Sequence, residues 1–145
     1  PVFTARPEGA KHLHAYYAGT GPSFEKLKAF LEYMVHDPSQ IPDDLLRMRY
    51  ELSANPEVLA NPPLRNLGKQ LQADQLWRDS LAKLTHKTLL VWGREDRTVT
   101  LDSAFIFLKT IPNAQLHVFP NCGHWAQWER ADEFNQLVTN FLTNP

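Results

Sequence analysis

The feature that most constrains this chain is a short apolar run, Thr88-Leu89-Leu90-Val91-Trp92, closed by Gly93. A continuous run of this length, ended by glycine, predicts a strand covered on both faces, as in a parallel sheet. Residues 103–110 follow as a helix, stopped by Pro112-Asn113. Residues 115–119 then form a second strand, closed by Pro120-Asn121. A last helix spans 131–142, with Phe134, Leu137, Val138, Phe141 and Leu142 along one face. Asp132 and Glu133 favour the positive end of its dipole. This is the βα alternation of a parallel sheet. Two parallel strands alone would leave backbone groups unpaired along both edges, which is costly. The chain is therefore expected to be the C-terminal part of a larger α/β fold. Its sheet is incomplete without an upstream segment.

The first half has a different texture. Pro1, Pro7, Gly9, Gly19, Gly21 and Pro22 punctuate residues 1–22, which predicts a connector with a short helix near 11–17. Ser23 is a good N-cap, and Phe24, Leu27, Phe30, Leu31 and Met34 recur at the spacing of one helical face. Asp37-Pro38 stops that helix. A second helix is predicted from Pro42-Asp43 to about residue 55, holding Leu45, Leu46, Met48, Arg49 and Leu52. Pro56 opens a further turn. Residues 64–84 predict one or two more helices, with Leu67, Leu71, Leu76, Trp77, Leu81 and Leu84 as their apolar positions. The chain thus divides into a connector and helical region, 1–84, and a strand-containing region, 85–145.

Composition narrows the functional classes. Fifteen basic residues against sixteen acidic give a net charge of −1, so nucleic acid and anionic membranes have no electrostatic claim as partners. The apolar runs are only a few residues long, too short to span a bilayer. No basic-then-apolar leader is visible. Cys122 is the single cysteine and cannot form an internal disulfide, which fits a reducing, cytoplasmic compartment. His12-Leu13-His14 lacks the accompanying cysteine or carboxylate cluster of a metal site, so no metal is expected.

Two loops carry candidate chemistry, because functional groups in open α/β sheets gather at the carboxyl ends of strands. After the first strand comes Gly93-Arg94-Glu95-Asp96-Arg97, where Asp96 stands as a presented carboxylate. Its alternative is a solvated loop whose charges pair among themselves. After the second comes Asn121-Cys122-Gly123-His124-Trp125, a histidine on a glycine turn and well set as a general base. Its alternative is a loop histidine with no task. Together the loops match the tail of the Ser…Asp…His order, in which the carboxylate fixes the imidazole tautomer and the imidazole takes the nucleophile's proton. No Gly-x-Ser-x-Gly segment occurs here. Ser23 comes nearest, with Gly21 before it but Glu25 where the second glycine belongs. Cys122 shares a loop with His124 and suits packing or a pocket wall. The nucleophilic serine is expected upstream of Pro1.

The segments LLVWGREDRTVTLDSAF, beginning at Leu89, and IPNAQLHVFPNCGHWAQWERADEFNQLVTNFL, beginning at Ile111, resemble the α/β-hydrolases that cleave carbon–carbon bonds in meta-cleavage products. These are the 2-hydroxy-6-oxo-hexa-2,4-dienoate hydrolases of aromatic and steroid degradation. The resemblance covers essentially the whole chain and is most specific at CGHWAQWE with the following DEFN. It implies an α/β-hydrolase fold in which residues 12–84 form a helical lid. It also implies a small dienoate substrate, no cofactor and a homo-oligomer. Within DDLLRMRYELSANPE it implies that Arg49 binds the substrate carboxylate, a task that suits a bidentate guanidinium. The alternative for Arg49 is a surface position on an amphipathic helix. Asp96 and His124 become the triad acid and base. Trp125 and Cys122 become pocket residues, and Met34, with Phe30 and Tyr33, a contact for the hydrophobic end of the substrate. An ester, lactone or epoxide hydrolase would share Asp96 and His124 without the carboxylate clamp. A non-catalytic interaction module would need neither.

Overall fold

A computed structural model describes residues 8–63 and 80–144. Helix α1, Gly9–Tyr17, occupies the connector. Helix α2, Phe24–Met34, starts at Ser23, whose side chain accepts the Lys26 N–H at 3.2 Å. One orphan donor of the first turn is thereby satisfied. Helix α2 buries Leu27, Leu31 and Met34. The chain turns extended at Val35 and passes a single helical turn, Pro38–Gln40, begun by the Asp37 side chain. Helix α3, Asp43–Ser53, carries two aspartates in its first turn, where they oppose the helix dipole. Helix α4, Pro56–Ala60, is capped by Asn55, which accepts the Glu57 N–H at 2.9 Å. Tyr16, Leu27, Leu31, Met34, Val35, Ile41 and Leu46 form one apolar cluster.

The second half follows the predicted alternation. Strand β1 is Thr88–Gly93 and strand β2 is Ala114–Phe119. They pair in parallel from Thr88 opposite Ala114 to Gly93 opposite Phe119. Helix α5, Leu101–Thr110, connects them. It begins two residues before the predicted start, after an extended Thr100 that makes no side-chain cap hydrogen bond. Helix α6, Ala126–Glu129, is one turn that the sequence pattern did not signal. Helix α7, Ala131–Thr143, closes the chain. Phe119, Cys122 and Ala126 form a second cluster, with Val91, Phe134 and Leu137 against it.

Two expectations are corrected. The β1 run predicts cover on both faces, yet Thr88 to Trp92 are only half-buried. Among the described residues the sheet has just these two strands. The spacing places Leu142 on the apolar face of α7, but it is 74% exposed. The helical positions assigned to Leu67, Leu71, Leu76 and Trp77 lie outside the described residues. Among the described residues no helix is long and apolar enough to cross a membrane.

Candidate active site

The loops after β1 and β2 extend the strand pairing beyond the sheet. The Arg94 N–H donates to the Phe119 carbonyl at 2.9 Å, and the Glu95 N–H to the Cys122 carbonyl at 2.9 Å. Glu95 Oε2 in return accepts the Cys122 N–H at 3.0 Å. Gly93 makes this approach possible. A Cβ built on it would lie 1.9 Å from the Gly123 carbonyl oxygen, inside any allowed contact. Gly123 is constrained in the same way, since its Cβ would fall 2.4 Å from the Met34 carbonyl oxygen. Asn121 turns the chain with φ at 52°, a left-handed conformation that asparagine tolerates.

Asp96 and His124 are brought together. Asp96 is buried, 8% exposed. Its Oδ1 accepts the Thr98 and Val99 N–H groups at 2.8 and 2.9 Å. Its Oδ2 lies 2.9 Å from His124 Nδ1. Two backbone donors thus fix the carboxylate, and the carboxylate fixes the ring. His124 Nε2, with no hydrogen-bond partner among the described residues, is the nitrogen left to take a proton. The charged loop does not pair internally as a whole: Arg94 meets Glu95, whereas Asp96 and Arg97 turn elsewhere. Arg97 donates to the Glu32 and Val35 carbonyls at 3.1 and 3.0 Å, at the end of α2, where a cation is favoured.

A cavity of about 390 Å³ lies between α1, α2 and α3, with Trp125, the residue after His124, on its wall. Met34, Phe30, Arg49 and Trp125 all line it. The Arg49 guanidinium stands 5.4 Å from the centre of the Trp125 ring, within cation–π range. Trp125 meets Trp128 edge to face at 6.0 Å. Also on the wall, Tyr16 and Ser53 share a hydrogen bond of 2.5 Å. Burial raises the Tyr16 hydroxyl's pKa, against the pull of that bond. A smaller cavity, about 190 Å³, is lined by Asp96 and His124 together with Trp92, Val99 and Phe134.

Two sequence-assigned pocket residues are not brought to the larger cavity. Cys122 is fully buried in the packing between β2 and α7. Desolvation, with Glu129 adding to it, pushes its thiol up to about 12. Tyr33 instead stacks on His12 at 4.1 Å and lies under the Arg97 guanidinium at 4.7 Å. The structure also adds residues that sequence reasoning missed. Glu129 accepts the Gly123 and Trp125 N–H groups, and Arg97 ties the Asp96 loop to α2. The signal for Glu129 was faint. A capping carboxylate is sought three residues after the cap, and this one stands four after Trp125. Among the described residues no group of three histidines, cysteines or carboxylates is arranged to hold a metal.

A parallel strand pair that presents a carboxylate and an imidazole from adjacent carboxyl ends is the arrangement of a C-terminal portion of the α/β-hydrolase fold. Residues 20–131 match the family described as alpha/beta hydrolase fold, and the chain belongs to that family. It is 46% identical over 147 aligned positions to a 2-hydroxy-6-oxo-6-phenylhexa-2,4-dienoate hydrolase of Burkholderia cepacia. It is 44% identical to a 2-hydroxy-6-oxononadienedioate/2-hydroxy-6-oxononatrienedioate hydrolase of Comamonas testosteroni. Each alignment covers 99% of this chain and 50% of the relative. The chain thus spans about half the length of these relatives. Among solved structures it is similar to a meta-cleavage product hydrolase from Pseudomonas fluorescens IP01. The TM-score there is 0.74 at 36% identity, covering 91% of this chain and 49% of that one.

Proposed function

We propose that this chain supplies the acid, the base and the substrate clamp of a carbon–carbon bond hydrolase. Its substrates are 2-hydroxy-6-oxo-dienoate products of aromatic ring cleavage. The carrying observation is the 2.9 Å contact between Asp96 Oδ2 and His124 Nδ1, one residue from the Trp125 and Arg49 wall of the larger cavity. The similarity to two dienoate hydrolases along 99% of the chain supports the substrate class.

In this reading Arg49 holds the substrate carboxylate in the cavity, and Met34 and Phe30 receive the apolar end. His124 moves the proton that converts the dienol to the keto form. It then takes the proton of a serine supplied by the rest of the protein, while Asp96 stabilises the resulting imidazolium. The serine oxygen bonds to the C6 carbonyl carbon, and the C5–C6 bond breaks. Its electron pair and a proton go to the departing 2-hydroxypenta-2,4-dienoate. Water, deprotonated by His124, hydrolyses the acyl-serine to a carboxylic acid. Side chains and backbone amides suffice for these steps. Residues 12–84 act as the lid over a core begun by the upstream segment, residues 85–145 complete that core, and the whole protein self-associates in the cytoplasm.

The discriminating experiment is Arg49→Ala in the complete protein. Removing one charged hydrogen-bonding partner should lower kcat/KM for a dienoate by roughly 10- to 100-fold. Turnover of a neutral aryl ester should stay near its original rate. Equal losses on both substrates, or no loss on the dienoate, would contradict the clamp and favour an ester hydrolase on the same fold.

A further inference from the structure

Glu129 stands outside the acid–base pair, yet its carboxylate takes hydrogen bonds from three backbone N–H groups. The Gly123 N–H lies 3.0 Å from Oε1 and 2.9 Å from Oε2. The Trp125 N–H reaches Oε1 at 3.1 Å. The third donor comes from the other half of the chain: the His36 N–H, just beyond α2, reaches Oε2 at 2.7 Å. Between Gly123 and Trp125 stands His124, whose own N–H donates to the Met34 carbonyl at 2.7 Å. Three consecutive amides of the histidine turn are therefore held, two by Glu129 and one by the end of α2. An ionised acceptor makes these bonds about twice as strong as neutral ones. The Asp96 loop is tied to the same helix end, through Arg97 and the Glu32 and Val35 carbonyls.

We propose that Glu129 is a positioning residue. It locks the backbone on either side of His124 to the segment after α2, so that the imidazole meets Asp96 only while the helical layer is seated. The inference rests on the reading of His124 as the base. Truncating Glu129 would leave three N–H groups without their acceptor and free the turn to shift. A shift of about 1 Å in a reacting group costs on the order of 100-fold in rate. Arg49 and the apolar face of α2 keep their own places while Trp125 shifts with the turn, so the loss should fall more on kcat than on KM.

The test compares the complete wild-type protein with Glu129→Ala, Glu129→Gln and His124→Ala. The substrate is 2-hydroxy-6-oxo-6-phenylhexa-2,4-dienoate. A second readout is the low-field proton NMR signal of the His124 Nδ1–H bonded to Asp96, assigned by its loss in His124→Ala. Glu129→Ala is expected to lower kcat about 100-fold with KM within about threefold, and to weaken or abolish the signal. Glu129→Gln keeps one oxygen for Gly123 and Trp125 and should fall between. Wild-type kcat and signal in Glu129→Ala would overturn the proposal. So would a lowered kcat with the signal intact, which is the mark of a merely structural role. Should Glu129→Ala not fold, Glu129→Gln decides alone: reduced kcat with a weakened signal supports the proposal, and wild-type values overturn it. Normal turnover by His124→Ala would instead defeat the base assignment itself. An inactive His124→Ala beside normal Glu129 variants would defeat only this inference.

Discussion

Replacing Asp96 with asparagine tests the pair at its most informative atom. The carboxylate takes three hydrogen bonds: Thr98 and Val99 N–H at Oδ1, and His124 Nδ1 at Oδ2. An asparagine of the same shape must choose an orientation. Turning its oxygen toward His124 would aim its NH2 group at two backbone donors in a buried site, losing both bonds. The oxygen therefore stays with Thr98 and Val99, and the NH2 faces Nδ1. Nδ1 must then accept, which moves the ring proton to Nε2, the nitrogen proposed to act as base. The developing imidazolium would also face a donor in place of an anion. A tautomer error of this kind costs about 10⁴-fold in kcat in a serine triad. Stability should change little, within about 1 kcal/mol, because each original contact keeps a partner of opposite hydrogen-bonding sense. The assay is kcat for dienoate cleavage by the complete protein, with urea unfolding alongside. A variant within tenfold of wild type, or one that loses activity only by unfolding, would refute the reasoning.

Three further outcomes follow from packing and caps. Gly93→Ala forces a Cβ against the Gly123 and Cys122 carbonyl oxygens, so it should cost at least about 1–3 kcal/mol by urea unfolding and lower kcat as well. Ser23→Ala removes the cap of α2 and should cost about 1 kcal/mol by the same measurement, with no change at the Asp96–His124 pair. The Cys122 thiol is raised from 9.0 to about 12, so the folded state holds this proton more tightly than the unfolded chain. Its contribution is therefore full below pH 9 and declines as pH rises toward 12. The stability advantage of wild type over Cys122→Ala should shrink across that window, and an advantage that grows would contradict the burial argument.

Strand identity was legible because short apolar runs closed by Gly93 and Pro120 have few other uses. Helix α2 was legible from its cap and its spacing. The Asp96–His124 pair was legible as two loops at strand ends, although only the structure gives their 2.9 Å contact. Other features depended on tertiary geometry that local pattern does not encode. The positions of Glu129 and Arg97 are set by carbonyls and amides of residues far along the chain, at the end of α2. Cys122 illustrates the converse. Its neighbourhood in sequence is the histidine loop, but a one-residue step on a tight turn directs it into packing with Phe119 and Ala126. Tyr33 shares a helix with Met34 and Phe30, and its place one residue along turns it to His12 and Arg97.

The role proposed for the His124 imidazole is base of dienoate cleavage. Its most direct measurement is steady-state loss of dienoate absorbance by the complete protein and by its His124→Ala variant, at matched folded concentration. Rapid bleaching by the wild type and essentially none by the variant is the expected result. Cleavage by His124→Ala at a near-normal rate would contradict it.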